Sequence, residues 1–396
     1  MNNSPKLFII IGDTEISLIT GYIGAQNNFK LLEKLILPVD YINGRKITDL
    51  DKSTNLIKRN IISIEQKMNY TFKDIILILN NLEVSFLNLC GFTKLNGTQI
   101  QKANITYILN SLKSCVEEFE KDKKIFHIFN SEYCLDKKKL DNLPIGLFGD
   151  FYSQELSFCM INKNYYKNLK AIFDNCNIKI KKIISNNFVK GTMISDTYLN
   201  VNTFFHIQLN ENDSKIFYFE NDSFKYEQSF KFGTKLILKD IAKVTSLSME
   251  IIAKLIEKNS NIDILGEELI EKEYFINQNF RKIKKGLITK IAEARIIEFL
   301  EILLFKNINC QKLLNKTNHI YLEIDDQKNY NCFKKVYLSC TYFKSKFNVK
   351  VLKRPNLQSL INATCKIIQF GWKKEAIPVT KEDGSYFVRI LRSIFS

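Results

Sequence analysis

The side chains able to do covalent or metal chemistry are few and badly spaced for it. The nine cysteines are odd in number, lie far apart and include no Cys-x-x-Cys pair. Their spacing supports neither a zinc site nor a disulfide framework, and it suits a reducing compartment. The three histidines, His127, His206 and His319, are too scattered for a ligand set. Each sits in an apolar run, which predicts packed strand residues. What remains is the chemistry of surfaces. In residues 385–396 (SYFVRILRSIFS), Phe387, Ile390, Leu391 and Ile394 recur at i, i+3, i+4 and i+7, with Phe395 beside them. Arg389, Arg392 and Ser393 lie round the other side, and Ser385 is an N-cap. An apolar stripe backed by arginines fits an in-plane membrane anchor, because apolar burial and attraction to anionic headgroups add. It also fits a terminal helix docked on the protein's own core. The stretch before it, residues 373–384 (KKEAIPVTKEDG), carries Pro378, Gly384 and a run of charges and predicts a flexible spacer, which favours the anchor.

The elements that must position such groups belong to a globular chain. At 396 residues and 45% hydrophobic content it can bury a sizeable core, and its length predicts two or more lobes. Lys, Ile, Asn, Phe and Tyr are abundant and Gly, Pro and Trp scarce, a bias that an AT-rich genome produces on its own. The net charge of +16 comes mostly from single lysines interspersed with acids. With no nucleic-acid motif it reads as a solvated basic surface, and no nucleic-acid partner is expected. No apolar run reaches the roughly 18 residues that cross a bilayer, and nothing resembles a signal peptide.

Residues 6–23 predict two strands around a turn at Gly12 and Asp13. Residues 51–70 predict a helix with Ile57, Ile61, Ile64 and Met68 on one face, and residues 74–81 a buried strand, an α/β pattern. Between residues 82 and 161 short strands surround one helix over residues 100–119, as in an inserted α+β module. Residues 165–176 return to helix and 179–187 to strand. Residues 203–233 alternate as the N-terminus does, and an interrupted helical stretch then runs to Phe305. A strand at residues 320–324, a helix near residues 332–343 and a strand at residues 349–352 close a second α/β unit. Two hairpin-led halves, each with an insertion, describe a duplicated fold.

Residues 124–149 resemble the bacterial cell-division actin homologue FtsA. That family has a strand, a polar-Tyr-x-x-Asp turn and a stretch ending Asn-Pro-hydrophobic-Gly-x-x-Gly; the matching residues are Glu132, Tyr133 and Asp136, then Asn142, Pro144, Gly146 and Gly149, with Leu143 intruding after Asn142. The order of the other parts is similar, including the linker and the amphipathic end. The resemblance implies an actin-like two-lobed α/β fold of duplicated ribonuclease-H-like domains, with an inserted α+β subdomain and a C-terminal amphipathic helix. The expected divisions are residues 1–81 for the first lobe, completed by 162–196 and 356–372, and 82–161 for its insertion. The second-lobe core is 197–245, completed by 313–355, with a helical insertion at 246–312. Residues 373–384 are the linker and 385–396 the membrane helix.

The resemblance also locates a nucleotide site and its erosion. The family's first phosphate hairpin, Asp-Ile-Gly-Thr-Ser-Lys, lines up with Ile10, Ile11, Gly12, Asp13, Thr14 and Glu15. Its second, Asp-Ile-Gly-Gly-Gly-Thr, lines up with His206, Ile207, Gln208, Leu209, Asn210 and Glu211. The metal-side Asp and the second hairpin's three glycines are gone, where backbone amides would approach phosphate. The adenosine-side Gly-Gly pair appears as Asp325 and Asp326. Gly12, Thr14, Asp213, Gly233 and Lys254 remain as vestigial nucleotide-site residues. The expectation is a non-enzymatic, degenerate ATPase with impaired binding and hydrolysis of ATP, ATP with magnesium being the one cofactor the resemblance offers. The family's role is to tether FtsZ to the cytoplasmic face of the inner membrane at the division site. The resemblance therefore implies as partners the FtsZ C-terminal peptide, later division proteins such as FtsN, further copies of the chain in filaments, and an anionic membrane surface. Phe387, Arg389, Ile390, Leu391, Arg392, Ile394 and Phe395 are the expected membrane contacts. Arg281, Lys285 and Arg295, on the second-lobe insertion, are the expected contacts to an FtsZ tail. An actin-like pilus or secretion assembly protein and an active actin-fold ATPase are the alternatives.

Overall fold

A computed structural model describes residues 4–24, 28–258, 267–275, 279–325, 330, 334, 337 and 347–376. The chain divides into two compact units. The first holds residues 1–202, 220–226 and 355–396, and the second residues 203–219 and 227–354. The expected helix at residues 332–343 lies almost wholly outside the described residues, as does the amphipathic segment 385–396.

In the first unit, β1 (Lys6–Ile11) and β2 (Glu15–Ile23) form the expected hairpin, and β3 (Phe29–Pro38) adds to its edge. Helix α1 (Leu50–Met68) starts where Asp49 accepts from the Lys52 amide, and Asn69 ends it in the left-handed region. It buries Ile57, Ile61 and Ile64, the face read from the spacing, and leads into β4 (Asp74–Leu79). With β9 (Lys179–Ser185) the sheet order is β3-β2-β1-β4-β9, with β1, β4 and β9 parallel. β1 and β4 have almost every side chain buried, as strands covered on both faces must. Helix α3 (Lys163–Asp174) packs Tyr165, Leu169, Ile172 and Phe173 on the same core as α1, and α4 (Asn186–Thr197) follows β9.

The insertion carries a sheet of its own, ordered β5-β8-β6-β7, from β5 (Ser85–Lys94), β6 (Lys123–Leu135), β7 (Lys138–Leu140) and β8 (Phe151–Asn162). All its pairings are antiparallel, and α2 (Lys102–Phe119) packs Leu109 and Val116 against Ile128, Leu156 and Phe158.

The second unit repeats the plan. Strands β10 (Phe204–Leu209), β11 (Ser214–Glu220), β12 (Ser223–Phe230), β13 (His319–Ile324) and β14 (Asn348–Lys353) are ordered β12-β11-β10-β13-β14. A hairpin is again extended on one side by a third strand and on the other by parallel strands. Helices α5 (Thr234–Thr245), α6 (Met249–Lys258), α7 (Lys285–Leu300), a π-helical turn at Glu301–Phe305 and α8 (Ile308–Leu314) fill the sequence between β12 and β13. In the first unit, α9 (Leu357–Phe370) follows β14 and ends at Gly371.

Of the linker expected at residues 373–384, only residues 373–376 are described. Residues 373–376 are docked on β6 through paired backbone and side-chain bonds, with Glu375 buried. Charge and the nearby Pro378 read as solvated spacer, whereas the first acid of the run is bonded to the buried His127 and the half-buried Lys182.

Candidate functional site

The first candidate hairpin is the β1–β2 turn. Gly12 donates its N–H to the Glu15 carbonyl at 2.8 Å, and Asn81, just past β4, donates to the Asp13 carboxylate. Asp13, Thr14 and Glu15 are exposed, so the turn presents two carboxylates and one hydroxyl. Thr14 is held through its carbonyl, which accepts from Val39 N–H at 2.9 Å.

In the second unit the strand runs further than the alignment of glycine positions implies. Gln208 and Leu209 belong to β10 and are buried, and the turn itself is Asn210, Glu211, Asn212 and Asp213. Asn210 closes it by donating its N–H to the Asp213 carbonyl at 2.9 Å and its side-chain amide to the Asp213 carboxylate at 3.1 Å. The N-terminus of α5 is already engaged by this turn. Thr234 N–H donates to the Asn210 carbonyl and Lys235 N–H to the Glu211 carbonyl, each at 3.0 Å. These are donors that a phosphate at a helix N-terminus would use. Gly233 is required by this packing, because a Cβ there would lie 2.3 Å from the Asn210 carbonyl oxygen and 2.6 Å from that of Glu211. His206 is fully buried, with its Nε2 3.2 Å from the Glu323 carboxylate. Lys254 is exposed on α6. Among the described residues no group of three or more His, Cys, Asp or Glu side chains could hold a metal ion.

The cations of the second-unit insertion are engaged within that unit. Lys285 is buried and bonds Glu271 at 2.9 Å and Glu268 at 3.2 Å. The Glu271 hydrogen bond, assisted by Glu268, raises its pKa against the cost of burial. Arg295 bonds Asp240 on α5 and, at 2.6 Å, Glu298 one turn on. Arg281 is exposed and donates to Ser246 Oγ at 2.9 Å. Lys285 and Arg295 therefore tie the insertion together, and Arg281 is the member of the trio whose charge has no carboxylate bonded to it among the described contacts.

The inserted-module motif resolves as scaffold. Asp136, in the left-handed region, accepts from Asp150 N–H at 2.9 Å and Phe151 N–H at 2.8 Å through one carboxylate oxygen. Gly149 packs where a Cβ would meet Leu135 at 2.3 Å. Tyr133 is buried among Leu95, Ile100, Ile108 and Tyr152, and Glu132 pairs with Lys139 at 2.6 Å. These residues close the corner from β6 through β7 into β8.

No family model matches the chain. Its sequence is similar to the cell division protein FtsA of Buchnera aphidicola subsp. Baizongia pistaciae, 22% identical over 317 residues, which cover 78% of this chain and 74% of that one. It is also similar to FtsA of Agrobacterium fabrum, 18% identical over 266 residues, 65% of this chain and 59% of that one. Among solved structures it is similar to the PilM–PilN type IV pilus biogenesis complex, with a TM-score of 0.50 and 9% identity over 99% of this chain and 96% of that one. The chain is a divergent FtsA-like protein with an actin-like fold. Two sheets of like order and a four-stranded insertion between β4 and β9 make up that body. The signal that finds the insertion in the sequence is the Tyr133, Asp136, Gly146 and Gly149 pattern, because each half of it meets a specific backbone demand. His127, Lys182 and Glu375, which the structure brings together, carry no such signal: they are 248 residues apart at the extremes.

Proposed function

We propose that this protein is a cell-division adaptor that holds FtsZ filaments at the cytoplasmic membrane of a bacterium, acting by binding rather than by turnover of ATP. The observation that carries this reading is the similarity to FtsA over 78% of the chain, in a body with the insertion where the family motif predicts it. Residues 385–396 serve as the membrane contact at the division site, with Phe387, Ile390, Leu391, Ile394 and Phe395 in the interface and Arg389 and Arg392 on anionic headgroups. No helix among the described residues is long and apolar enough to cross a membrane, which suits attachment through the tail. The second-unit insertion takes the FtsZ C-terminal peptide, Arg281 being its most available guanidinium. The inserted module takes later division proteins such as FtsN, and copies of the chain associate into filaments. Nucleotide binding is impaired: Gln208, Leu209 and Asn210 carry side chains where three glycines would admit phosphate, and the carbonyls of Asn210 and Glu211 accept from the first amides of α5.

A second reading is a pilus or secretion assembly protein, favoured by the similarity to the PilM–PilN complex across nearly all of the chain. Fluorescence anisotropy with a labelled FtsZ C-terminal peptide separates the two. Saturable binding by the full chain, weakened at least about tenfold by Arg281→Glu, supports the adaptor; absence of binding by the wild type rejects it.

A further inference from the structure

The root of the C-terminal segment makes contacts that its role as a linker does not require. Trp372 is buried and donates its indole N–H to the Asp222 carbonyl at 2.7 Å, and Lys373 pairs with the Asp222 carboxylate at 2.6 Å. The next residues run antiparallel to the outer edge of β6: Asn130 N–H donates to the Lys374 carbonyl and Ala376 N–H to the Ile128 carbonyl, each at 2.7 Å. Lys374 bonds the Asp141 carbonyl at 2.8 Å with its ammonium 4.9 Å from the Tyr133 ring centroid. Between these sits Glu375, its side chain 6% exposed, with one oxygen 2.8 Å from His127 Nδ1 on β6 and the other 2.8 Å from Lys182 Nζ on β9. All of these groups belong to the first unit.

We propose that residues 372–376 are a releasable strap, latched by the Glu375 carboxylate between His127 and Lys182, that sets how much of the C-terminal segment is free to reach away from the body. Docked, the strap ties the chain to the body as far as Ala376; released, it ties it only as far as Gly371. The difference of five residues adds about 17 Å of reach at roughly 3.3–3.6 Å per residue. On the tether reading, on which this use of the strap rests, that length changes the standoff between body and membrane.

The latch is built to respond to protons. Three charged or titratable groups meet in it. Lys182 and His127 face Glu375 from β9 and β6, while α4 contributes the Phe188 ring, 5.1 Å from the His127 ring. On the strap itself, Lys373 is engaged by Asp222 and Lys374 by the Asp141 carbonyl. Burial pushes His127 below its ordinary 6.5 against the pull of Glu375, so the docked imidazole is neutral. It donates from Nδ1, and its Nε2 is buried without a hydrogen-bond partner. Burial alone would raise the Glu375 carboxyl, but Lys182 and the His127 hydrogen bond outweigh it and hold the group well below its ordinary 4.5. Both groups regain higher pKa values on release, so the released form binds more protons. Docking is therefore strongest above about pH 6.5 and weakens as pH falls through the ordinary histidine value and then the carboxyl value.

Trp372 is the sole tryptophan of the chain, so the emission of the full-length protein reads the strap directly. At about pH 7.5 the wild type is expected to emit as a buried indole, and to shift to the red by about pH 5.5 with its far-ultraviolet circular dichroism unchanged. Glu375→Gln is expected to be red-shifted already at the higher pH, with the Asn130 and Ala376 amides exchanging hydrogen at least about tenfold faster. Lys182→Met, which leaves the carboxylate buried beside a neutral imidazole, is read in the same way and serves if Glu375→Gln does not fold. His127→Gln, which keeps a donor to Glu375 but cannot titrate, is expected to stay docked and lose the shift. A folded Glu375→Gln or Lys182→Met protein with wild-type emission and amide protection overturns the proposal. These measurements need neither membrane nor FtsZ, so their failure leaves the tether reading standing, and failure of vesicle binding leaves the strap standing.

Discussion

Single residues in this chain reveal which positions are structural and which are open to a partner. Gly233 is the clearest structural case: Gly233→Ala would drive a Cβ into two carbonyl oxygens of the β10–β11 turn, and a loss of about 1–3 kcal/mol is expected in urea unfolding. Arg295 has a different consequence. Arg295→Glu places a carboxylate against Asp240 and Glu298, so it should cost at least about 1 kcal/mol of stability. Any loss of peptide binding in that variant is therefore ambiguous. Arg281→Glu breaks one bond to a serine hydroxyl, and its melting temperature is expected to match the wild type. The sequence identifies these residue types and their neighbourhood but not their partners, because Asp240 lies 55 residues from Arg295 and only the packing of α5 on α7 brings them together. The same limit applies to His127. An apolar run explains its burial, and nothing local points to a carboxylate 248 residues away.

At the level of elements, local pattern was informative where one physical cause dominates. The spacing of Ile57, Ile61 and Ile64 gives α1, and the continuous apolar runs give β1 and β4. β3 is not read from its sequence, and the reason lies in its pairing. The register with β2 slips between Thr20 and Gly21, which breaks the alternation, so Leu31, Leu32, Leu35 and Ile36 are spaced more like a helix than a strand. In the inserted module, Asp136 is the corner that holds β6 to the start of β8. Asp136→Ala removes an acceptor from two backbone amides and is expected to destabilise the protein by about 1–3 kcal/mol, measured by thermal melting. On the tether reading, burying the five apolar side chains of residues 385–396 at about 1.5–3 kcal/mol each has to offset the ordering of that segment, so weak membrane binding per molecule is expected. Array formation along a membrane makes such weak contacts act together.

The whole molecule is an actin-like body in which the two sheets share one strand order and each half carries an insertion. That duplication was legible because both halves open with a hairpin of strand-forming residues. The geometry of the second hairpin was legible only in part. The missing glycines stand in the sequence, but the engagement of the α5 amides by Asn210 and Glu211 depends on the turn docking against the helix. With those donors engaged, magnesium and ATP are expected to bind more weakly than low micromolar in a calorimetric titration; tighter binding would restore the ATPase alternative. On the proposed reading, this body links FtsZ to a membrane through its C-terminal segment. Co-sedimentation of FtsZ with anionic lipid vesicles tests it most directly, comparing the full chain with one lacking residues 385–396. FtsZ is expected to pellet with vesicles only when the full chain is present. FtsZ left in the supernatant with the full chain, or pelleted equally well with the shortened one, would contradict it.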